Sequence, residues 1–140
     1  MRAVAIVILF IVLGGIGGAI WWLEQDEPQV ATGDRLPHQV DVNLPSLSPA
    51  AAAGAKIFAA NCQICHGVSA SGGPGGPPLI HKIYEPSHHA DGSFFVAVRN
   101  GVRQHHWSFG NMPPVPGISE AEIGQIISYV REVQRANGIN

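Results

Sequence analysis

The first feature along the chain is an uninterrupted apolar run. Ala3–Leu23 reads AVAIVILFIVLGGIGGAIWWL, 21 residues without a charge. A helix of that length, rising ~1.5 Å per residue, reaches about 31 Å and can cross a hydrocarbon core of ~30 Å. Trp21 and Trp22 close the run, where amphipathic rings favour the headgroup level. Arg2 precedes the run, whereas Glu24, Asp26 and Glu27 follow it. The positive-inside rule therefore predicts a single-pass anchor with everything after Trp22 outside. A cleaved secretory signal is the alternative, but its apolar core spans only about 7–15 residues and ends in an A-x-A-like site. Gly14 and Gly18 form a small-xxx-small pair that permits close packing of a second membrane helix.

Residues 24–47 show no sustained period and contain Pro28, Pro37 and Pro45, which reads as an extended linker. Helical patterning starts at Ser48-Pro49, an N-cap followed by proline at the first helical position. That helix runs through Ala50–Asn61, with Gly54, Ile57 and Phe58 on one face. Gly67–Pro78 is a Gly/Pro loop, and a short helix over Ser93–Asn100 stops at Gly101. Ser119 and Glu122 form a capping box for a helix reaching Asn137, with Ile123, Ile126, Ile127, Val130 and Val133 at helical spacing. No alternating strand pattern occurs, so the expected fold class is all-α. The expected division is anchor 1–23, linker 24–47 and head 48–140.

Composition narrows the function. Charged residues are 13% of the chain, against roughly 25% in a typical soluble domain. A formal net charge of −2 excludes a basic nucleic-acid binder, and 46% hydrophobic residues exclude a charged disordered chain. With 17 glycines and 11 prolines, long loops must join the helices.

Both cysteines lie in Cys62-Gln63-Ile64-Cys65-His66, the C-x-x-C-H signature of c-type haem attachment. Two thiols three positions apart can add to the two haem vinyl groups, and the adjacent histidine offers its imidazole to the iron. A thioredoxin-like redox pair needs a βαβ context, and a structural zinc site needs a second ligand pair at suitable spacing. Outside position 1 the one methionine is Met112, in Asn111-Met112-Pro113-Pro114. Its thioether is a soft sixth ligand that raises the potential, and two prolines fix the backbone after it. His105 and His106 are rivals for that position and imply a low-potential bis-histidine haem. His88-His89 reads as a solvated pair, because adjacent histidine side chains diverge in most backbones. Together with His105 and His106 it also offers ligands of the kind copper takes.

Taken in order, Gly54-x-x-x-Phe58, Cys62–His66, Gly76-Pro77-Pro78-Leu79, Asn111–Pro114 and Ile126-x-x-Tyr129 resemble the class I cytochromes c. The resemblance covers about Ser48 to Asn140 and implies three main helices and loops around one covalent haem c. It implies that Cys62 and Cys65 attach the group and that His66 and Met112 ligate its iron. It further implies that Gly54 and Phe58 meet Ile126 and Tyr129 where the first and last helices cross. By the same resemblance, a carbonyl of the Pro77–Pro78 turn would accept the His66 N–H, and Leu79 would pack on the haem. The segment Gln104–Phe109 is richer in histidine and aromatics than the family pattern. Trp107 there is a candidate for the haem edge or a propionate, and Arg99 or Arg103 for neutralising one.

The implied function is electron transfer rather than catalysis, since a His/Met iron has no open position. The expected protein is an anchored carrier in the bacterial cytoplasmic membrane, with its head in the periplasm. Expected partners are a quinol:cytochrome c reductase, a terminal oxidase, a reaction centre or a periplasmic dehydrogenase, with membrane lipid around residues 3–23. A fixed haem subunit of a larger membrane complex is the alternative, and a haem sensor or small peroxidase a third. Residues 51–140 carry a net charge of only +1, so no strongly basic docking ring is expected.

Overall fold

The computed structural model describes residues 35–140. The anchor over 3–23 and the first part of the linker lie outside the described residues. Among those described, no helix is long and apolar enough to cross a membrane.

Four α-helices form the head: α1 Pro49–Asn61, α2 Gln63–His66, α3 Asp91–Asn100 and α4 Glu120–Ala136. Single 3₁₀ turns at Val68–Ala70 and Lys82–Tyr84 punctuate the long connection. No strand forms among the described residues, only isolated bridges at Gly73–Gly76 and Val102–Met112. The capping signals hold at atomic level. Ser48 Oγ accepts from the Ala51 N–H, and at α4 both halves of the Ser119–Glu122 capping box are made. The short helix starts earlier than predicted, at Asp91 after an Ala90 N-cap with no side-chain bond.

The helices pack because one face of α4 is apolar. Ile126, Tyr129, Val130 and Val133 meet Ala51 and Phe58 of α1 in the main core. Ile123 and Ile127 join Val98 of α3 in a second cluster. Phe58 and Tyr129 rings sit 5.5 Å apart in a tilted pair. At the crossing, a Cβ on Gly54 would lie 1.9 Å from the Gln125 carbonyl oxygen, so the two backbones touch. Only glycine fits there.

Residues 35–47 correct the linker reading. They lie along the head, and the compact unit begins at Arg35. Val40, Val42 and Leu47 pack on the main core. The Val40 N–H donates to Ser71 O at 2.9 Å, and Asn43 exchanges bonds with the Asn137 side chain at 2.8 and 2.9 Å. Glu132 accepts from both the N–H and the hydroxyl of Ser48, which holds its carboxyl below the usual glutamate range. The segment lacks a helical period because it is an extended strap tied by backbone bonds.

Inside the head, Arg131 on α4 is 6% exposed. It donates to Asp91 Oδ1 at 2.8 Å, to Tyr84 O and Gln134 Oε1 at 2.7 Å each, and to His89 O. Gln134, fully buried, donates to Leu79 O at 2.9 Å and to Tyr84 O at 3.0 Å. A buried guanidinium is tolerated only when its donors are satisfied. Here its partners are two carbonyls of the loop that precedes α3, the Asp91 carboxylate at the start of α3 and the Gln134 side chain.

Gly54→Ala should therefore lower stability by about 2 kcal/mol or more through overpacking, read as a shifted denaturant midpoint. An unchanged midpoint would show that the helices do not meet at this backbone contact.

Candidate functional site

α1 ends at Asn61, and a kink at Cys62 (φ −117°, ψ −30°) starts the short α2 that carries the rest of the motif. Cys62, Cys65 and His66 thereby face one cavity of about 730 Å³, within the ~300–1,000 Å³ typical of cofactor sites. Leu79, Trp107 and Met112 line the same cavity, with Phe58, Phe94, Val98 and Phe109 among its apolar walls. Five separate segments of the chain thus converge on it.

The His66 imidazole is oriented from behind. Its Nδ1–H donates to the Pro77 carbonyl oxygen at 2.9 Å, which leaves Nε2 with its lone pair for a metal. Burial holds His66 below the ordinary histidine value, against the Pro77 carbonyl, which raises it. The ring is thus neutral at physiological pH and able to ligate. Cys62 shows the opposite of a redox-active thiol. Burial, helped by the neighbouring Cys65, pushes it up to about 11. A thioredoxin-like pair needs a lowered thiol pKa, so this environment speaks against that reading.

Met112 is fixed through its backbone. Val102 N–H donates to Met112 O and Met112 N–H to Val102 O, both at 3.0 Å. Gly101, which ends α3 at φ +75°, allows this approach, since a Cβ there would meet Met112 O at 2.4 Å. The sequence placed Met112 in a proline-fixed turn; the bridge to Val102 adds a restraint that no local pattern signals.

Other named residues separate. Pro78 does not line the cavity: it is fully buried behind the wall, and Pro77 both lines the cavity and supplies the carbonyl. Arg103 lines the cavity, whereas Arg99 pairs with Glu120 at 2.9 Å. His105 and His106 line it at the mouth. Tyr84, which sequence reasoning passed over, also lines it, and burial pushes its hydroxyl up to about 12. A lone tyrosine at the end of a 3₁₀ turn carries no sequence signal for this role.

Trp107 packs edge-on against His81, ring centroids 5.2 Å apart. Its Nε1–H is buried with no hydrogen-bond partner; the Tyr84 hydroxyl approaches without meeting bonding geometry. Such a donor costs about 1–3 kcal/mol when left unmade. The indole ring lines the cavity, but Nε1 itself is turned away from it, with the Tyr84 hydroxyl as the polar group beside it.

The profile of the cytochrome c family matches residues 51–134. The chain belongs to the cytochrome c family. A stretch of 36 residues is 61% identical to the cbb3-type cytochrome c oxidase subunit FixP of Bradyrhizobium sp. (strain ORS 278). That match spans 24% of this chain and 12% of the FixP protein. No solved structure matches the chain. Membership implies a covalently bound haem, and the cytochrome's own residues fit one. The attachment cysteines and an imidazole oriented by the Pro77 carbonyl share an apolar cavity of cofactor size with Met112.

Proposed function

We propose that this cytochrome is a membrane-anchored, monohaem electron carrier with His66 and Met112 as iron ligands, working on the periplasmic face of the membrane. The observation that carries the reading is the shared cavity: the C-x-x-C-H segment and the bridge-pinned Met112 face the same space. When bound, a haem supplies reversible one-electron chemistry at iron. The chain's contributions are attachment by Cys62 and Cys65, orientation of His66 by Pro77, exclusion of water by Phe58, Leu79 and Phe94, and placement of Met112 through Val102. With His66 and Met112 both holding the iron, the protein would leave no position open to a substrate, which is why transfer rather than catalysis is the reading. The anchor rests on the charge-free run Ala3–Leu23.

In the oxidised protein, iron–thioether bonding gives a weak far-red absorption band. Wild type should show it and Met112→Ala should lose it while keeping covalent haem. Absence of the band in wild type, or its survival in the variant, would reject the His/Met assignment.

A second reading is favoured by the likeness to FixP, whose name marks it as a subunit of an oxidase. On that reading the head is a fixed haem subunit of a membrane respiratory complex. Detergent extraction separates the two. A carrier should stay in the membrane fraction until detergent is added and then purify alone, whereas a subunit should purify with stoichiometric partners.

A further inference from the structure

Four of the seven histidines gather in one cluster, three of them (His89, His105 and His106) lining the cavity, although they lie in two separate segments of the chain. His88 and His89 sit in the turn before α3, and His105 and His106 in the loop that leads to Met112. Ring centroids are 4.8 Å apart for His88–His89, 5.3 Å for His88–His106 and 5.3 Å for His89–His106. One ring nitrogen from each of these three residues lies within 4.8 Å of the others. The His105 ring is a further 4.3 Å from His106. The expected divergence of the adjacent pair is overcome because the partner ring comes from across the cavity mouth.

We propose that His88, His89 and His106 form a binding site for a divalent transition-metal ion, with Zn²⁺ as the occupant the geometry favours. Two imidazole nitrogens on one tetrahedral ion, at about 2.0–2.1 Å each, stand roughly 3.3 Å apart. His88 Nε2 and His106 Nε2 are 3.3 Å apart. A square-planar set places neighbouring nitrogens closer together, so the spacing suits the tetrahedral ion.

The third ring is prepared in the way metal-binding imidazoles usually are. His89 Nδ1–H donates to the Ile83 carbonyl oxygen at 2.7 Å, which fixes the tautomer and leaves Nε2 its lone pair. The His89 backbone is held in turn, because its carbonyl accepts from the buried Arg131. His105 is oriented alike, with Nδ1 2.8 Å from Arg103 O, and stands beside the site as an outer ring. His88 and His106 are exposed, so solvent can carry the proton from Nε2 to Nδ1 as the ion binds. No net proton release is needed from a neutral pair. Three imidazoles leave one tetrahedral position for water, which makes this a binding site with an open corner.

The consequence is mechanical. An ion held by His88, His89 and His106 ties the turn before α3 to the loop that carries Met112, across the opening they share. It is distinct from the iron ligands, since neither His66 nor Met112 is among its residues.

The test uses the tag-free, haem-loaded full chain in detergent, with Zn²⁺ alone as the probe, in equilibrium dialysis with metal analysis. The expected result is one Zn²⁺ per chain beyond the iron, with affinity at least tenfold lower in His88→Ala/His106→Ala. The haem absorption spectrum checks that this variant, altered at two exposed positions, still folds. His38→Ala removes a histidine bonded to Gly73 O outside the cluster and should leave the affinity unchanged. No stoichiometric binding by wild type, an undiminished affinity in the double variant, or an equal loss in His38→Ala would overturn the site. The readout is independent of whether Met112 ligates iron.

Discussion

The backbone contact between Gly54 and Gln125 is the constraint on which the head depends. A helix pair that meets through side chains keeps 8–10 Å between axes, and a glycine lets the axes come closer. Phe58, one turn further along α1, is then placed against Tyr129 while also lining the cavity. Cys62 follows one turn later, so the kink into α2 and the direction of His66 are set from the crossing. The site thus inherits its geometry from the most tightly packed part of the fold.

Arg131 and Gln134 supply a second constraint of a different kind. The loop from Leu79 to Ala90 has little regular structure, and its carbonyls need partners if the wall of the cavity is to be buried. α4 provides them from its own buried face, to Leu79, Tyr84 and His89. The guanidinium also lies over the Phe94 ring, 5.0 Å from its centroid. Its carboxylate partner Asp91 keeps a 63% exposed side chain, so only one of the two charges has lost its water. Arg131 is therefore a structural tie holding the cavity wall to the helix.

What the sequence made legible was local. Capping residues, helix faces and the five-residue motif act over one or two turns, and Ser48, Ser119 and Glu122 behave as their spacing implies. What stayed hidden was set by partners far along the chain. The strap at 35–47 offers neither period nor motif, because its ties are backbone and polar bonds to Ser71, Glu132 and Asn137. The choice of Pro77 over Pro78 as acceptor depends on which carbonyl turns toward the ring. The approach of His88 and His89 to His106 needs the fold of two loops at once, and adjacency alone argued against it.

Charge shows how the same lesson bears on function. Of the six cations in residues 51–140, Arg131 is buried and Arg99 is paired with Glu120. Lys56, Lys82, Arg103 and Arg135 remain, balanced in number by Glu85, Glu122 and Glu132 but for one. So even a balance offers little long-range field, and steering by charge would add little to an encounter rate. Apolar surface is instead exposed at Ile64 in the haem-attachment motif, 82% accessible, and at Val68 just after it, 65%. Contacts of that sort act only at short range, after partner and head have already met. A head built this way gains most from being confined beside its partner, which raises the effective concentration without any new contact. Both proposed arrangements, the anchored carrier and the fixed subunit, provide that confinement, and a freely diffusing head would not.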